Sequence, residues 1–238
     1  MERVSTGVIG LNQLLRGGFP AGSMVLVVGT PGSGKSTLGK QFLFDSLTKD
    51  KPAVLVDTFE PLELAKETMV SFEWDSRLLD RMIFFDCYSW RTGAAREKYA
   101  GNPAKLTELS ITLSDLLKNE VNHEARARLV IDSFSDFLTH AGPEPAQKFL
   151  ESVKAKLAER RVTSIVILEE GLHEDRVNAA VEYVTDGTIK MRYEEKGRSL
   201  MVSRMLGTPA TIKWIPFTLV RDCGSELLEL MHLDRLNS

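Results

Sequence analysis

Gly29-Thr30-Pro31-Gly32-Ser33-Gly34-Lys35-Ser36-Thr37 fills every fixed position of the pattern G-x-x-x-x-G-K-[ST]. The apolar run Met24–Val28 precedes it and reads as a buried strand. Thr37–Leu47 follows and reads as a helix with Leu38 and Phe42 turned inward. Strand, glycine loop and helix in that order are what a phosphate-binding loop requires. Glycines let successive backbone N–H groups converge on an anion, and the helix start adds its positive dipole end. The residues Thr30, Pro31, Gly32, Ser33, Gly34, Lys35, Ser36 and Thr37 are therefore the expected nucleotide contacts. Lys35 supplies a cation for the β- and γ-phosphates, and the Ser36 hydroxyl is a ligand for Mg²⁺.

Working outward, short strand-like runs alternate with helical patterns. Ala53–Asp57, Met82–Asp86, Leu129–Asp132 and Ser164–Leu168 are apolar and rich in β-branched residues. Leu62–Phe72, Leu106–Val121 and Pro145–Arg160 carry helical spacing, with Phe149, Val153 and Leu157 on one stripe of the last. Such alternation predicts an α/β fold, a mostly parallel sheet with helices on both faces. After about Gly187 the helices stop. Thr188–Tyr193, Ser199–Met205, Phe217–Val220 and Leu227–Met231 read as an antiparallel C-terminal extension. Ser89–Pro103 and Gly171–Val177 read as loops.

The 238 residues include 43% apolar and 26% charged side chains, with net charge −3, the profile of an ordinary soluble chain. No apolar run approaches the ~20 residues that cross a bilayer. Met1–Ser5 has no secretory core. Two distant cysteines, Cys87 and Cys223, fit a reducing cytoplasm. His123, His140, His173 and His232 show no metal-ligand spacing.

A phosphate-binding loop needs an acidic partner for its cation. Asp132, at the end of Leu129-Val130-Ile131-Asp132, is the candidate, sharing Mg²⁺ with Ser36. Glu60 fits two roles, orienting the attacking water or placing charge in the first turn of the next helix. Glu169 and Glu170 end another strand, either beside the γ-phosphate or as solvated acids.

Several further stretches carry a family resemblance. Ser5–Asn12, Arg16–Ser23, Ser71-Phe72-Glu73-Trp74-Asp75, Val184–Ile189, Met205–Thr208 and Pro216–Leu219 resemble the corresponding segments of the RecA-like ATPases. The likeness is strongest to single-domain KaiC-like proteins and runs nearly end to end. The resemblance implies one ATPase core domain over residues 1–238, ATP and Mg²⁺ as ligands, and a homo-oligomer, hexameric by family habit. It also implies a trans contact in which Arg204 reaches a neighbour's γ-phosphate.

The departures from that family bear on chemistry. Phe59 stands where the family has its catalytic glutamate, leaving only Glu60. Leu206 stands where it has the second base of K-x-R, and Ala210 replaces a frequent histidine. Asn12 replaces an aspartate of the opening segment. Catalytic candidates are thus Lys35, Glu60 and Arg204. Three functions follow: a slow ATPase or ATP-dependent switch, a non-catalytic nucleotide-binding module, or a recombinase-like DNA-binding ATPase. Against the last, neither Ser135–Gln147 nor Gly171–Val181 reads as a basic, glycine-rich loop. Arg91–Tyr99 is more basic and reads either as a phosphate or partner contact or as a solvated loop.

Overall fold

The computed structural model describes residues 1–95, 97–122, 126–209, 211–219 and 228–230. Arg96, His123, Ala210, Val220, Cys223, Leu227, Met231 and His232 lie outside these. The elements in chain order are β1 (Arg3–Val4), α1 (Ile9–Leu14), β2 (Phe19–Pro20), β3 (Met24–Gly29), α2 (Lys35–Thr48), β4 (Ala53–Asp57), α3 (Leu62–Val70), α4 (Ser76–Leu79), β5 (Ile83–Asp86), β6 (Tyr99–Ala100), α5 (Leu106–Glu120), β7 (Arg128–Asp132), α6 (Phe134–Ala141), α7 (Pro143–Glu159), β8 (Thr163–Glu169), α8 (Asp175–Val184), β9 (Gly187–Glu194), β10 (Gly197–Met205), β11 (Thr211–Leu219) and β12 (Leu228–Leu230).

One ten-stranded sheet runs β12-β11-β10-β9-β3-β8-β7-β4-β5-β6. Pairings from β9 through β3 to β6 are parallel, and those among β9, β10, β11 and β12 are antiparallel. Alternation along the strands divides the interior in two. Val25, Val27, Val130, Ile165 and Ile167 face a core closed by Leu38 and Phe42 of α2 and Ala65 and Met69 of α3. Met24, Leu26, Leu129, Ile131, Val166 and Leu168 face the other, closed by Leu113, Phe137, Val153 and Val181 of α5, α6, α7 and α8. The parallel sheet is thus covered on both faces, which is why its strands read as unbroken apolar runs.

Three departures from the sequence reading stand out. Ser135–Gln147 is not a loop: Ser133 accepts a hydrogen bond from the Ser135 N–H at 3.1 Å and starts α6, and α7 follows at Pro143. The loop expected over Gly171–Val177 ends early, because α8 begins at Asp175. Ser89–Pro103 contains a 3-10 turn at Ser89–Arg91 and the edge strand β6.

Several motif residues turn out to be structural. Trp74 stacks on Phe44 with centroids 4.5 Å apart, and Asp75 caps α4 at the Arg77 N–H. Asp186 accepts from the Met24 N–H at 2.9 Å and from Lys154 at 2.7 Å, fixing the start of β3. Asn12 accepts from the Thr6 N–H at 2.7 Å and donates to Ser5, closing the opening turn.

Candidate nucleotide site

The loop lies at the carboxyl end of β3, between β8 and β9. It turns through positive φ at Gly32 (+74°) and Gly34 (+96°), conformations that favour glycine. Gly29 is constrained differently. A Cβ there would sit 1.9 Å from the Met191 carbonyl oxygen of β9. Gly34 is the N-cap of α2, and no side chain bonds the helix start; its first turn also lacks an acidic residue. The leading N–H groups and dipole end of α2 therefore suit a phosphate. The β9–β10 hairpin braces the loop: the Tyr193 N–H donates to Thr30 Oγ1 at 3.1 Å, and Arg198 Nε donates to the Gly32 carbonyl at 2.9 Å. Lys35 is buried, and its ammonium donates to the Thr30 carbonyl at 2.9 Å and to Glu169 Oε2 at 3.0 Å.

Beside the loop, the carboxyl ends of β7, β4 and β5 set Asp132, Asp57 and Asp86 next to one another in register. Asp57 Oδ1 accepts from the Phe59 and Glu60 N–H groups, and Asp86 Oδ1 from those of Tyr88 and Ser89. Both are turn caps. Burial, reinforced by the Asp132 charge, pushes the Asp57 carboxyl up to about 7. Burial likewise raises Asp132 to about 6, opposed by a hydrogen bond from the Ser36 hydroxyl and by the charge of Lys40. Asp132 Oδ1 has no protein partner. A buried carboxylate with an orphaned oxygen, tied to the Ser36 hydroxyl, is a donor pair that fits Mg²⁺. Among the described residues no group of three or more His, Cys, Asp or Glu is placed to hold a metal. Nucleotide oxygens would have to complete the shell.

The remaining candidates are placed as follows. Glu60 lies before Pro61, the N-cap of α3, and its carboxylate is bound to the Lys40 ammonium of α2. Phe59 is 54% exposed. Arg204 donates through Nη2 to the Glu182 and Thr185 carbonyls, each at 2.7 Å, at the C-terminal end of α8. Leu206, just beyond, is 49% exposed. In the basic stretch, Arg91 donates to the Thr58 carbonyl and pairs with Asp136, and Lys98 pairs with Glu120. These cations are engaged within the chain.

Sequence reasoning missed Asp57, Asp86, Lys40, Tyr193 and Arg198. The two aspartates were visible as strand-terminal acids matching Asp132. Lys40 and the hairpin pair gave no signal, since their relation to the loop arises from separate elements.

A central β3, a glycine loop feeding α2 and a buried strand-end aspartate define an ATP-binding P-loop NTPase of RecA-like fold. Residues 4–229 match the family model described as KaiC ATPase, and the chain belongs to that family. It is 31% identical over 234 residues to a UPF0273 protein of Methanocaldococcus jannaschii, covering 93% of this chain and 95% of that one. A UPF0273 protein of Saccharolobus solfataricus is 32% identical over 219 residues, covering 87% and 76%. Among solved structures, a KaiC-like protein from Pyrococcus horikoshii superposes with TM-score 0.77 at 23% identity, covering 97% and 99%. Among the described residues no helix is long and apolar enough to cross a membrane.

Proposed function

We propose that this chain is one KaiC-like ATPase core, working in the cytoplasm, that binds Mg-ATP at Gly29–Thr37 and turns it over slowly. Binding then acts mainly as a switch for conformation or assembly. Lys35 engages the phosphates, and Ser36 and Asp132 hold Mg²⁺. When bound, the metal would draw charge from the β- and γ-phosphate oxygens. Glu60 is the carboxylate offered for orienting water, and Arg204 the cation offered to a neighbouring subunit in a homo-oligomer, a hexamer by family habit. The observation that carries this reading is the meeting of Lys35, Ser36 and a partly unpaired Asp132 at the start of α2. Slow turnover is favoured because Phe59 has no acid–base chemistry and Lys40 already neutralises Glu60.

That same Lys40–Glu60 pair gives weight to the second reading, a nucleotide-binding module without turnover. The DNA-binding reading has little support, since α6 and α7 occupy Ser135–Gln147, where a DNA-binding loop would have to lie. Titration calorimetry with ATP, with and without Mg²⁺, tests the first reading alongside measured phosphate release. Wild-type protein is expected to bind ATP more tightly with Mg²⁺, and Lys35→Ala to lose at least about tenfold in affinity. Absence of ATP binding by the wild type would refute both nucleotide readings. Binding with no phosphate release would select the second.

A further inference from the structure

We infer that Glu169 is a latch on Lys35 that makes this site discriminate between nucleoside triphosphate and diphosphate. The inference rests on reading the loop as a Mg-ATP site. The Lys35 ammonium has three N–H donors. One goes to the Thr30 carbonyl at 2.9 Å and one to Glu169 Oε2 at 3.0 Å. A single donor remains, enough for a β-phosphate oxygen. A diphosphate can therefore engage Lys35 with both existing bonds intact. A triphosphate asks Lys35 to serve the β- and γ-phosphates together, and one present partner must then let go.

Thr30 is the less available of the two. Its carbonyl belongs to the loop, and its hydroxyl is held by the Tyr193 N–H. Glu169 offers a flexible side chain on an anchored backbone. Its N–H donates to Ser135 Oγ at 2.9 Å, and the following Glu170 N–H donates to the Gly29 carbonyl at 3.0 Å. The strand end stays put while the carboxylate, 21% exposed against 4% for Lys35, can swing toward solvent. Once displaced, the carboxylate has given up its cation to the phosphates, which further weighs against the triphosphate. Loss of the γ-phosphate lets the Glu169–Lys35 bond re-form. Through Ser135, which also bonds Ser133, that bond is tied to the segment following Asp132.

The test is a pair of binding titrations with Mg²⁺ on the full chain, one with a non-hydrolysable ATP analogue and one with ADP. Glu169→Gln keeps the shape and removes the charge. We expect its affinity for the analogue to rise about tenfold relative to its affinity for ADP, the scale of one charged hydrogen bond. Retained ADP binding also reports a folded site. If Glu169→Gln loses ADP binding, Glu169→Asp, a methylene shorter, is read in the same way. An unchanged ratio of analogue to ADP affinity would overturn the latch while leaving the ATP-site reading intact. Wild-type protein that binds neither nucleotide would sink both.

Discussion

The Glu60 carboxylate is bound to the ammonium of Lys40, about one and a half helical turns into α2 from the loop. Both side chains are mostly shielded, with 18% and 7% of their surface exposed. The one glutamate left after the Phe59 replacement is therefore charge-compensated. A carboxylate held in this way is less free to orient a water.

If Glu60 acts on water, Glu60→Gln lowers phosphate release by about 10²-fold, the usual contribution of a positioned acid–base group. Lys40→Met, which frees the carboxylate, is expected to raise it. Phosphate release under saturating Mg-ATP measures both. A brisk wild-type rate that Glu60→Gln leaves untouched would remove Glu60 from the chemistry.

Arg204 has a role within its own chain whatever it does for a neighbour. It caps two carbonyls at the end of α8, a position where a cation stabilises the helix. Arg204→Ala should lower unfolding stability by about 1 kcal/mol, read by denaturant titration. If Arg204 also serves a trans site, phosphate release per chain should rise with protein concentration in the wild type and lose that dependence in the variant. A rate per chain independent of concentration in both would leave Arg204 only its capping role.

The buried row of aspartates makes stability depend on pH. Burial holds the Asp57 carboxyl at about 7 in the folded chain, against 3.8 for an ordinary aspartate. Between those values the folded chain binds more protons than the unfolded one. The Asp57 contribution is thus present in full below pH 4 and is lost as pH rises through 7, by at most about 1.4 kcal/mol per pH unit. Asp57→Asn keeps the acceptor for the Phe59 and Glu60 N–H groups and removes the titrating proton. Thermal unfolding across pH 5 to 8 should show a shallower decline in the variant than in the wild type. Parallel curves would contradict the assignment.

Gly29→Ala should be far more damaging than a loop substitution. The added Cβ meets the Met191 carbonyl at 1.9 Å, and backbone in the sheet cannot yield cheaply. A loss of about 3 kcal/mol or more is expected, seen as a lowered melting temperature without any nucleotide present. Gly93→Ala is a useful contrast: nothing lies within 4 Å of its Cβ, although its φ of +67° adds local strain. A Gly29→Ala protein as stable as wild type would refute the contact.

Much of this molecule is local in origin. Ala53–Asp57 was bounded correctly from its apolar run, and α2, α5 and α7 followed from periodicity to within about two residues at either end. Elements too short for periodicity to register, such as α1, α4 and β6, were not readable, nor was α6, whose eight residues mix Ser and Thr with its Phe and Leu. The loop, its helix and the strand-end acids were legible because each is a contiguous pattern bonded to its own neighbours in sequence.

What the tertiary structure decided is which charges meet. Lys35 with Glu169, Lys40 with Glu60, and Asp57 between Asp132 and Asp86 are pairings across different strands and helices. The sequence by itself determined that Gly29–Thr37 forms a loop suited to a phosphate, because N–H geometry and glycine freedom are local properties. Strand order and register determined which carboxylates stand near that loop and which cations already occupy them, because electrostatic pairing depends on distance through space and not along the chain.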